Sequence, residues 1–176
     1  MKLVIASDIH GSAYYCKKLL ERFEEEKADK LVLLGDLLYH GPRNPLPEGH
    51  DPKEVALLLN SRRDRILAVR GNCDAEIDQM VLSFPCLADY AIVYDQGKTL
   101  FLTHGHLPLP PMQDNSVLIN GHFHVPVSER RDNYRYLNCG SIALPKENSP
   151  HSYLVYEDGA LTWKDADGTV FMRDML

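Results

Sequence analysis

The sequence predicts an α/β (α+β) fold in which two β-sheets pack face to face with helices outside them. Two observations carry this prediction. Residues 3–82 alternate short apolar runs with amphipathic stretches, and a polar cluster follows each run, as in parallel strands joined by helices. Residues 91–166 instead contain closely spaced strand-like runs separated by turn residues, which favours a largely antiparallel second sheet.

The first half contains three predicted strands, at residues 3–6, 30–34 and 66–69, each an apolar run with branched side chains. Ser12 can cap a helix that extends to about residue 26, and Pro52 after Asp51 begins a second helix that ends near residue 60. A short third helix is expected at 75–82. Residues 37–52 are rich in proline and glycine and are predicted to form a functional or flexible loop.

The second half begins with a predicted hairpin, in which Asp95-Gln96-Gly97 joins strands at 91–94 and 98–103. Further strands are predicted at 117–120, 125–130, 135–138, 152–156 and 161–166. Apolar residues 170–172 either pack on the protein's own sheet or contact a partner subunit. The proline-rich segment 107–111 is expected to stiffen the loop beside the predicted site.

Length and composition favour a single domain over residues 1–176, with 44% hydrophobic and 25% charged residues. The net charge of -6 argues against broad nucleic-acid binding. It does not exclude a phosphorylated substrate, because bound cations can reverse the local field. No apolar run is long enough to span a membrane, and four cysteines without metal-site spacing predict free thiols in a cytoplasmic protein: Cys16, Cys73, Cys86 and Cys139.

Side chains with metal-ligating atoms follow the predicted strands, and four of the eight histidines lie between residues 104 and 124. An isolated histidine is more often an ordinary surface or core residue, but Gly-His pairs at two strand ends favour a metal site. Because strand ends converge at one edge of a sheet, we expect a single cluster of ligands. Its members are Asp8, His10, Asp36, Asn72, His104, His122 and His124.

This set predicts a centre with two metal ions. Oxygen and nitrogen ligands without thiolates suit Mn²⁺, Fe²⁺, Zn²⁺ or a similar ion. Seven ligands are too many for one ion, and they divide between two if Asp36 bridges. Two ions about 3.5–4 Å apart stabilise both the attacking and the leaving oxygen in phosphoryl transfer.

Five motifs occur in a fixed order: SDIHG, LGDLLYHGPRN, VRGNCD, THGH and NGHFH, within residues 7–124. In this order they resemble the calcineurin-like metallophosphoesterase superfamily, and within it a small bacterial branch of metal-dependent phosphodiesterases. The turn at 138–141, NCGS, resembles that family's NPGS turn. The resemblance implies a four-layer αββα sandwich, with two packed mixed sheets flanked by helices. It also implies two divalent cations, manganese first and iron, zinc, nickel, cobalt or magnesium as alternatives.

The resemblance further implies a role for each ligand. By position, Asp36 resembles the bridging carboxylate, and Asp36, Asn72 and His104 are assigned to catalysis. A metal-bridging hydroxide would then attack the phosphorus of a small phosphodiester. The two ligand sets that the resemblance implies are Asp8, His10 and His124 for the first metal, and Asn72, His104 and His122 for the second.

Four further residues are candidates for substrate binding. Cys73 occupies the position where larger phosphatases of the superfamily have a histidine that donates a proton to the leaving group. His106 and Asp74 are alternative acids, or they only orient a ligand. Arg43 and Asn44 are placed to contact the substrate phosphate, although Arg43 could equally form a structural salt bridge. The candidates for substrate contact are therefore Arg43, Asn44, Cys73 and His106.

Three functions remain after these observations. The first is a hydrolase of phosphate esters, most simply a phosphodiesterase, with a phosphomonoesterase as its variant. The second is a non-catalytic or weakly active scaffold, as in a eukaryotic retromer subunit that resembles this fold. The full set of seven ligands favours the enzyme. A third, a protein or dinucleoside-polyphosphate phosphatase, ranks low because its second and third motifs differ from GDLLYHGPRN and GNCD. The sequence leaves open whether the protein forms a homo-oligomer.

Overall fold

The computed structural model describes residues 1–109 and 111–176, and its first half alternates strands with helices as predicted. Residue 110, part of the proline-rich segment expected to stiffen its loop, lies outside the described residues. The elements are β1 (Lys2–Ala6), α1 (Ala13–Glu26), β2 (Lys30–Leu33), α2 (Pro52–Asn60), a 3₁₀ turn (Arg63–Arg65), β3 (Ile66–Ala68) and α3 (Glu76–Gln79).

The first two helices begin where their capping residues predict. The Ser12 hydroxyl accepts a hydrogen bond from the Tyr15 N–H at 3.2 Å, and α1 ends at Lys27 in the left-handed conformation. Asp51 caps α2 in the same way. The third helix is shorter than the predicted 75–82, because N–H groups at its end bond to carbonyls only three residues back, and these tight turns terminate it.

Within the described residues, the elements of the second half are all strands: β4 (Tyr90–Asp95), β5 (Lys98–Thr103), β6 (Ser116–Asn120), β7 (Pro126–Arg131), β8 (Tyr134–Cys139), β9 (Ser152–Glu157), β10 (Ala160–Asp165) and β11 (Val170–Met175). Residues 170–172, for which two alternatives were open, belong to β11. This strand pairs antiparallel with β10, with Met172 opposite Trp163. The C-terminal apolar residues therefore pack on the protein's own sheet.

Two mixed sheets form the fold, which confirms the predicted fold class. The six-stranded sheet has the order β11-β10-β9-β1-β2-β3, and the five-stranded sheet has the order β4-β5-β6-β8-β7. The expectation that the second half makes its own largely antiparallel sheet was wrong. Strand β9 pairs with β1, so the last three strands join the first sheet. Strands β5, β6 and β8 run parallel, because the connections between them are long enough to cross over.

Strand β1 shows how the layers pack. Val4 and Ala6 face the helices, whereas Leu3 and Ile5 face the five-stranded sheet, and all four side chains are buried. The layer between the sheets includes the fully buried Trp163, whose indole N–H donates to the Asn138 carbonyl at 2.8 Å. A smaller cluster lies on the outer face of the five-stranded sheet, formed by Phe101, Leu118 and Tyr136 with Met112 against it. No helix within the described ranges has the length and apolar character needed to cross a bilayer.

Candidate metal centre

The structure brings all seven predicted ligands to the carboxyl ends of the strands. Asp8 and His10 follow β1, Asp36 follows β2, and Asn72 follows β3. The remaining three follow strands of the other sheet: His104 after β5, and His122 and His124 after β6. Both sheets therefore contribute to one site at one edge of the sandwich, which is where open α/β sheets bind ligands.

The backbone around the site is unusual, because five of these seven residues have a positive φ. The values lie between 48° and 65°, a region that non-glycine residues seldom adopt. Hydrogen bonds between the loops maintain this conformation: the His10 N–H donates to the Asp36 carbonyl at 2.9 Å, and the Asp8 N–H donates to Gly35 at 3.1 Å. Strain of this kind is concentrated at functional sites. The five residues are Asp8, His10, Asp36, His122 and His124.

Three hydrogen-bond acceptors converge at Asp8. Its Oδ1 lies 3.5 Å from Nε2 of His10 and 3.1 Å from Nε2 of His124. The Nδ1 of His10 donates to the Tyr39 carbonyl at 2.9 Å, and the Nδ1 of His124 donates to the Leu144 carbonyl. A carbonyl oxygen only accepts, so in the neutral rings both Nε2 atoms present lone pairs to the carboxylate.

These buried acceptors fit a cation. Among the described residues, neither Oδ1 of Asp8 nor Nε2 of His10 has a hydrogen-bond partner, although both atoms are buried. Such atoms are costly to leave unpaired, and a divalent cation between them would satisfy both. One ligand atom from each of Asp8, His10 and His124 lies within 4.8 Å of the others.

A second group of acceptors lies at His104. The Nδ1 of His104 donates to the Leu34 carbonyl at 2.6 Å, so Nε2 of the neutral ring carries a free lone pair. This Nε2 lies 3.1 Å from Oδ1 of Asn72 and 3.2 Å from Nδ1 of His122. The Asn72 side chain donates its amide hydrogen to Sγ of Cys73 at 3.3 Å, so its oxygen points towards the histidines. The second group therefore also presents oxygen and nitrogen lone pairs to a common space.

Asp36 lies between the two groups. Its Oδ2 is 3.6 Å from Nε2 of His10 and 3.6 Å from Nε2 of His104. Its other oxygen accepts the N–H of Cys73 at 2.8 Å, which fixes the orientation of the carboxylate. Because one oxygen faces both groups, Asp36 is placed where a ligand shared by two cations would stand.

The pKa shifts of the site follow from burial and from these neighbours. Burial opposes ionisation of Asp8, but the imidazoles of His10 and His124 outweigh it and hold the pKa of Asp8 well below its usual value. For His10 burial favours the neutral ring, yet the carboxylates of Asp8 and Asp36 raise its pKa. Burial and the neighbouring His104 lower the pKa of His122. The two carboxylates thus generate a strong negative field, which favours cations.

Asp74 holds two loops together and does not line the cleft over the centre. It is buried, and its Oδ2 accepts the N–H groups of Asp36 at 2.8 Å and Gly71 at 2.7 Å, while Oδ1 accepts that of Leu37 at 2.8 Å. It therefore ties the loop after β2 to the loop after β3. Burial raises its pKa and the three N–H groups oppose the rise. Of the two roles left open for Asp74, the geometry favours orientation of ligands.

Two glycines allow the loops to approach so closely. A Cβ on Gly121 would lie 2.0 Å from Oγ of Ser7 and 2.7 Å from Oδ2 of Asp8, and one on Gly71 would lie 2.1 Å from Oδ1 of Asp36. No side chain fits at these separations. The glycines of the GN and NGH motifs are thus required by contact with the two carboxylates.

A cleft of about 390 Å³ opens over the centre. Three of the four predicted substrate-binding residues line it, namely Arg43, Asn44 and Cys73. Arg43 is exposed and forms no ion pair within residues 1–109 and 111–176, so a structural salt bridge does not explain it. The Asn44 amide donates to the His40 carbonyl at 2.8 Å, within its own loop.

Neither candidate acid among the remaining residues has favourable electrostatics. Burial and the charge of Asp36 raise the pKa of the Cys73 thiol to about 12. His106 packs beside His104, with ring centroids 5.3 Å apart, and does not line the cleft. Burial and His104 lower the pKa of His106, which disfavours the protonated form that a general acid needs.

Sequence reasoning missed Lys146, which lines the same cleft. It follows the NCGS turn in a segment without periodicity, and no pattern marks it. The N–H of Lys146 donates to the carbonyl of His124 at 3.2 Å, so this segment also supports a predicted ligand. A lysine next to a metal-site motif is recognised only once the chain is folded.

Comparisons with known proteins agree with this geometry. The profile of the calcineurin-like phosphoesterase superfamily domain matches residues 1–158. Phosphodiesterase YfcE of Escherichia coli is 48% identical over 166 residues, which are 92% of this chain and 90% of that protein.

Solved structures give the same result. The structure of Yfce, described as a phosphoesterase from E. coli, matches with a TM-score of 0.96 and 44% identity over 99% of both chains. A mutant of Vps29 from Entamoeba histolytica matches with a TM-score of 0.63 and 20% identity, over 100% of this chain and 99% of that one, which shows a shared fold alone. The ordered motifs, the two sheets and the profile match together show that the chain belongs to the calcineurin-like phosphoesterase superfamily.

Proposed function

We propose that this protein is a metal-dependent phosphodiesterase that hydrolyses a small phosphodiester at a centre of two divalent cations. One observation carries the proposal: seven oxygen and nitrogen acceptors converge at one edge of the sandwich, and two of the buried ones have no hydrogen-bond partner among the described residues. The similarity to phosphodiesterase YfcE supports the reaction class.

The distances support a division of the ligands into two sets that share Asp36. Asp8, His10 and His124 would hold one cation, and Asn72, His104 and His122 the other. Manganese is the first candidate, because the donors are hard oxygens and imidazole nitrogens without a thiolate in either set. Bound at this centre, two divalent cations would supply a hydroxide nucleophile near neutral pH and neutralise charge on the phosphoryl group.

The protein's own side chains hold and orient the reaction partners. Backbone carbonyls fix the ring orientation of His10, His104 and His124, so these rings keep their lone pairs on the centre. Asn72 is exposed to the cleft and neutral, so it does not repel a phosphate as another carboxylate would. Arg43 at the cleft wall has the fork geometry that binds a phosphate oxygen pair.

The site should favour substrates with a good leaving group. Neither candidate acid is poised to protonate a leaving oxygen, because the pKa of Cys73 is raised to about 12, and His106 lies outside the cleft lining and has a lowered pKa. Hydrolysis should therefore depend strongly on the acidity of the leaving group. A phosphomonoesterase is the alternative that the substrate comparison below would reveal.

The scaffold function is less favoured. A scaffold does not need seven side chains whose acceptor atoms converge on one space. It also does not need the strained, positive φ that five of these residues have. We also propose a reducing cellular compartment, because all four cysteines are free thiols.

The experiment loads the protein with Mn²⁺ and compares bis-(p-nitrophenyl) phosphate with p-nitrophenyl phosphate. We expect faster hydrolysis of the diester, and a loss of roughly 100-fold or more in Asp36→Asn and Asn72→Ala. Asp78→Asn, at a partly buried carboxylate outside the cleft, is the matched control. Hydrolysis of neither compound, or unchanged rates in both ligand variants, would refute the proposal.

A further inference from the structure

Lys146 is a cation for which the described residues provide no counter-ion. Its side chain is exposed, lines the cleft beside the candidate metal ligands, and forms no ion pair or hydrogen bond within the described part of the chain. An exposed lysine is often merely solvated. This one differs because it lines the cleft over the proposed two-cation centre, where the substrate phosphate would bind.

The position of Lys146 is fixed relative to that centre. Its N–H donates to the His124 carbonyl at 3.2 Å, and the Ser149 hydroxyl bonds to the same carbonyl at 3.2 Å. That hydroxyl also reaches the Lys146 carbonyl at 2.6 Å, and the Ser149 N–H donates to it at 2.9 Å. The turn is therefore hydrogen-bonded to a predicted metal ligand, which places the backbone of Lys146 beside the centre.

Arg43 is a second cation on the same cleft. It belongs to the 37–52 loop, on a different part of the chain from Lys146, and it also lacks an ion-pair partner among residues 1–109 and 111–176. Asp36 is the one acidic residue in the lining of the cleft. Glu147 follows Lys146 but is exposed and does not line the cleft.

The charges of the centre show that these two cations are in excess. Two divalent cations, the carboxylates of Asp8 and Asp36 and a hydroxide together leave one positive charge. The single negative charge of a phosphodiester neutralises it. Arg43 and Lys146 then add two further positive charges to a cleft that a simple diester has already neutralised.

Building on the proposed function, we propose that Lys146, with Arg43, binds a second phosphate group of the substrate. The preferred substrates are then phosphodiesters in which one substituent carries an additional phosphate. Lys146 acts as a specificity-determining residue, since it contacts the substrate away from the reacting phosphorus.

A matched pair of compounds tests this proposal. One is the p-nitrophenyl ester of thymidine 5′-phosphate, and the other is the same ester with a phosphate on the 3′ oxygen. We expect the wild type to show a higher kcat/KM for the second compound, and Lys146→Ala to reduce that preference by roughly fivefold to tenfold, as for one partly exposed charge pair. Lys146→Arg should restore it. Lys53→Ala, at an exposed lysine outside the cleft, is the control.

Binding provides a readout that does not depend on turnover. Calorimetric titration of the Mn²⁺-loaded protein with thymidine 3′,5′-bisphosphate and with thymidine 5′-phosphate should show tighter binding of the bisphosphate, and Lys146→Ala should lose the difference. If neither ester is hydrolysed, the proposed function fails, and the binding difference still decides on the second-phosphate site. Equal affinities in the wild type, or an equal loss for both compounds in Lys146→Ala, would overturn the inference, because Lys146 would then act on the first phosphate or on none.

Discussion

Asp74→Asn should destabilise the protein, although the substitution removes only a charge and adds no volume. The carboxylate accepts three backbone N–H groups at 2.7–2.8 Å from two different loops. An asparagine has one acceptor oxygen, so at best it faces Asp36 and Gly71 and turns its own N–H groups towards the N–H of Leu37. At least one buried donor is then orphaned, and the other two bonds lose their charge assistance.

The magnitude follows from those three bonds. An orphaned buried donor costs about 1–3 kcal/mol, and a bond to a charged acceptor is stronger than a neutral one by about 1 kcal/mol. Burial raises the pKa of Asp74, so removal of the charge returns part of this loss. We expect a net decrease of about 2–4 kcal/mol in the free energy of unfolding of the metal-free protein.

Guanidinium-induced unfolding of the metal-free variant measures this decrease, with Asp78→Asn as the control. Asp78 is only partly buried and its carboxylate accepts one such bond, from the N–H of Ala75 at 2.8 Å. We expect less than about 1 kcal/mol from that control. If Asp74→Asn changes the free energy of unfolding by no more than the control does, Asp74 does not brace the loops and the argument for its role is refuted.

Three further predictions concern other parts of the molecule. Gly121→Ala should cost at least about 1–3 kcal/mol and weaken metal affinity, because its Cβ would overlap Ser7 and displace Asp8. Gly97→Ala meets no neighbour and carries only the strain of its φ of +72°, so it should leave metal affinity unchanged; equal metal affinities in the two variants would contradict this. Burial opposes ionisation of Glu26, but hydrogen bonds from Lys164 and Lys2 outweigh this effect and lower the pKa of Glu26. The ionised carboxylate therefore stabilises the folded protein above about pH 4, and this stabilisation is lost as the pH falls further. Glu26→Gln should therefore lower the melting temperature at pH 7 and lose this effect in acid; a pH-independent difference would count against it. His106→Ala should retain the metal content of the wild type in elemental analysis, since its ring packs beside His104 and His122 but does not line the cleft.

The candidate metal ligands were predictable because each is a polar residue shortly after an apolar run. Runs that end in Asp8, Asp36 or His104 must terminate at a sheet edge, and parallel order brings such ends together. The five ordered motifs indicated the family. The structure then shows lone pairs directed at a common space, which residue order alone does not establish.

The rest depended on contacts between distant segments. The pairing of β9 with β1 is long-range, and the spacing of the second-half strands carries no information about which sheet they join. The bracing by Asp74 depends on two loops that meet only in the folded chain. Lys146 lies in an irregular turn, and its place over the cleft results from the bond of its N–H to His124.

The central claim is that two cations share Asp36 at this edge of the sandwich. Anomalous scattering from a crystal of the Mn²⁺-loaded protein tests it most directly. The proposed division of ligands predicts two peaks about 3.5–4 Å apart, one near Asp8, one near His122 and both in contact with Asp36. A single peak, or two peaks of which either lies out of reach of Asp36, would contradict the account.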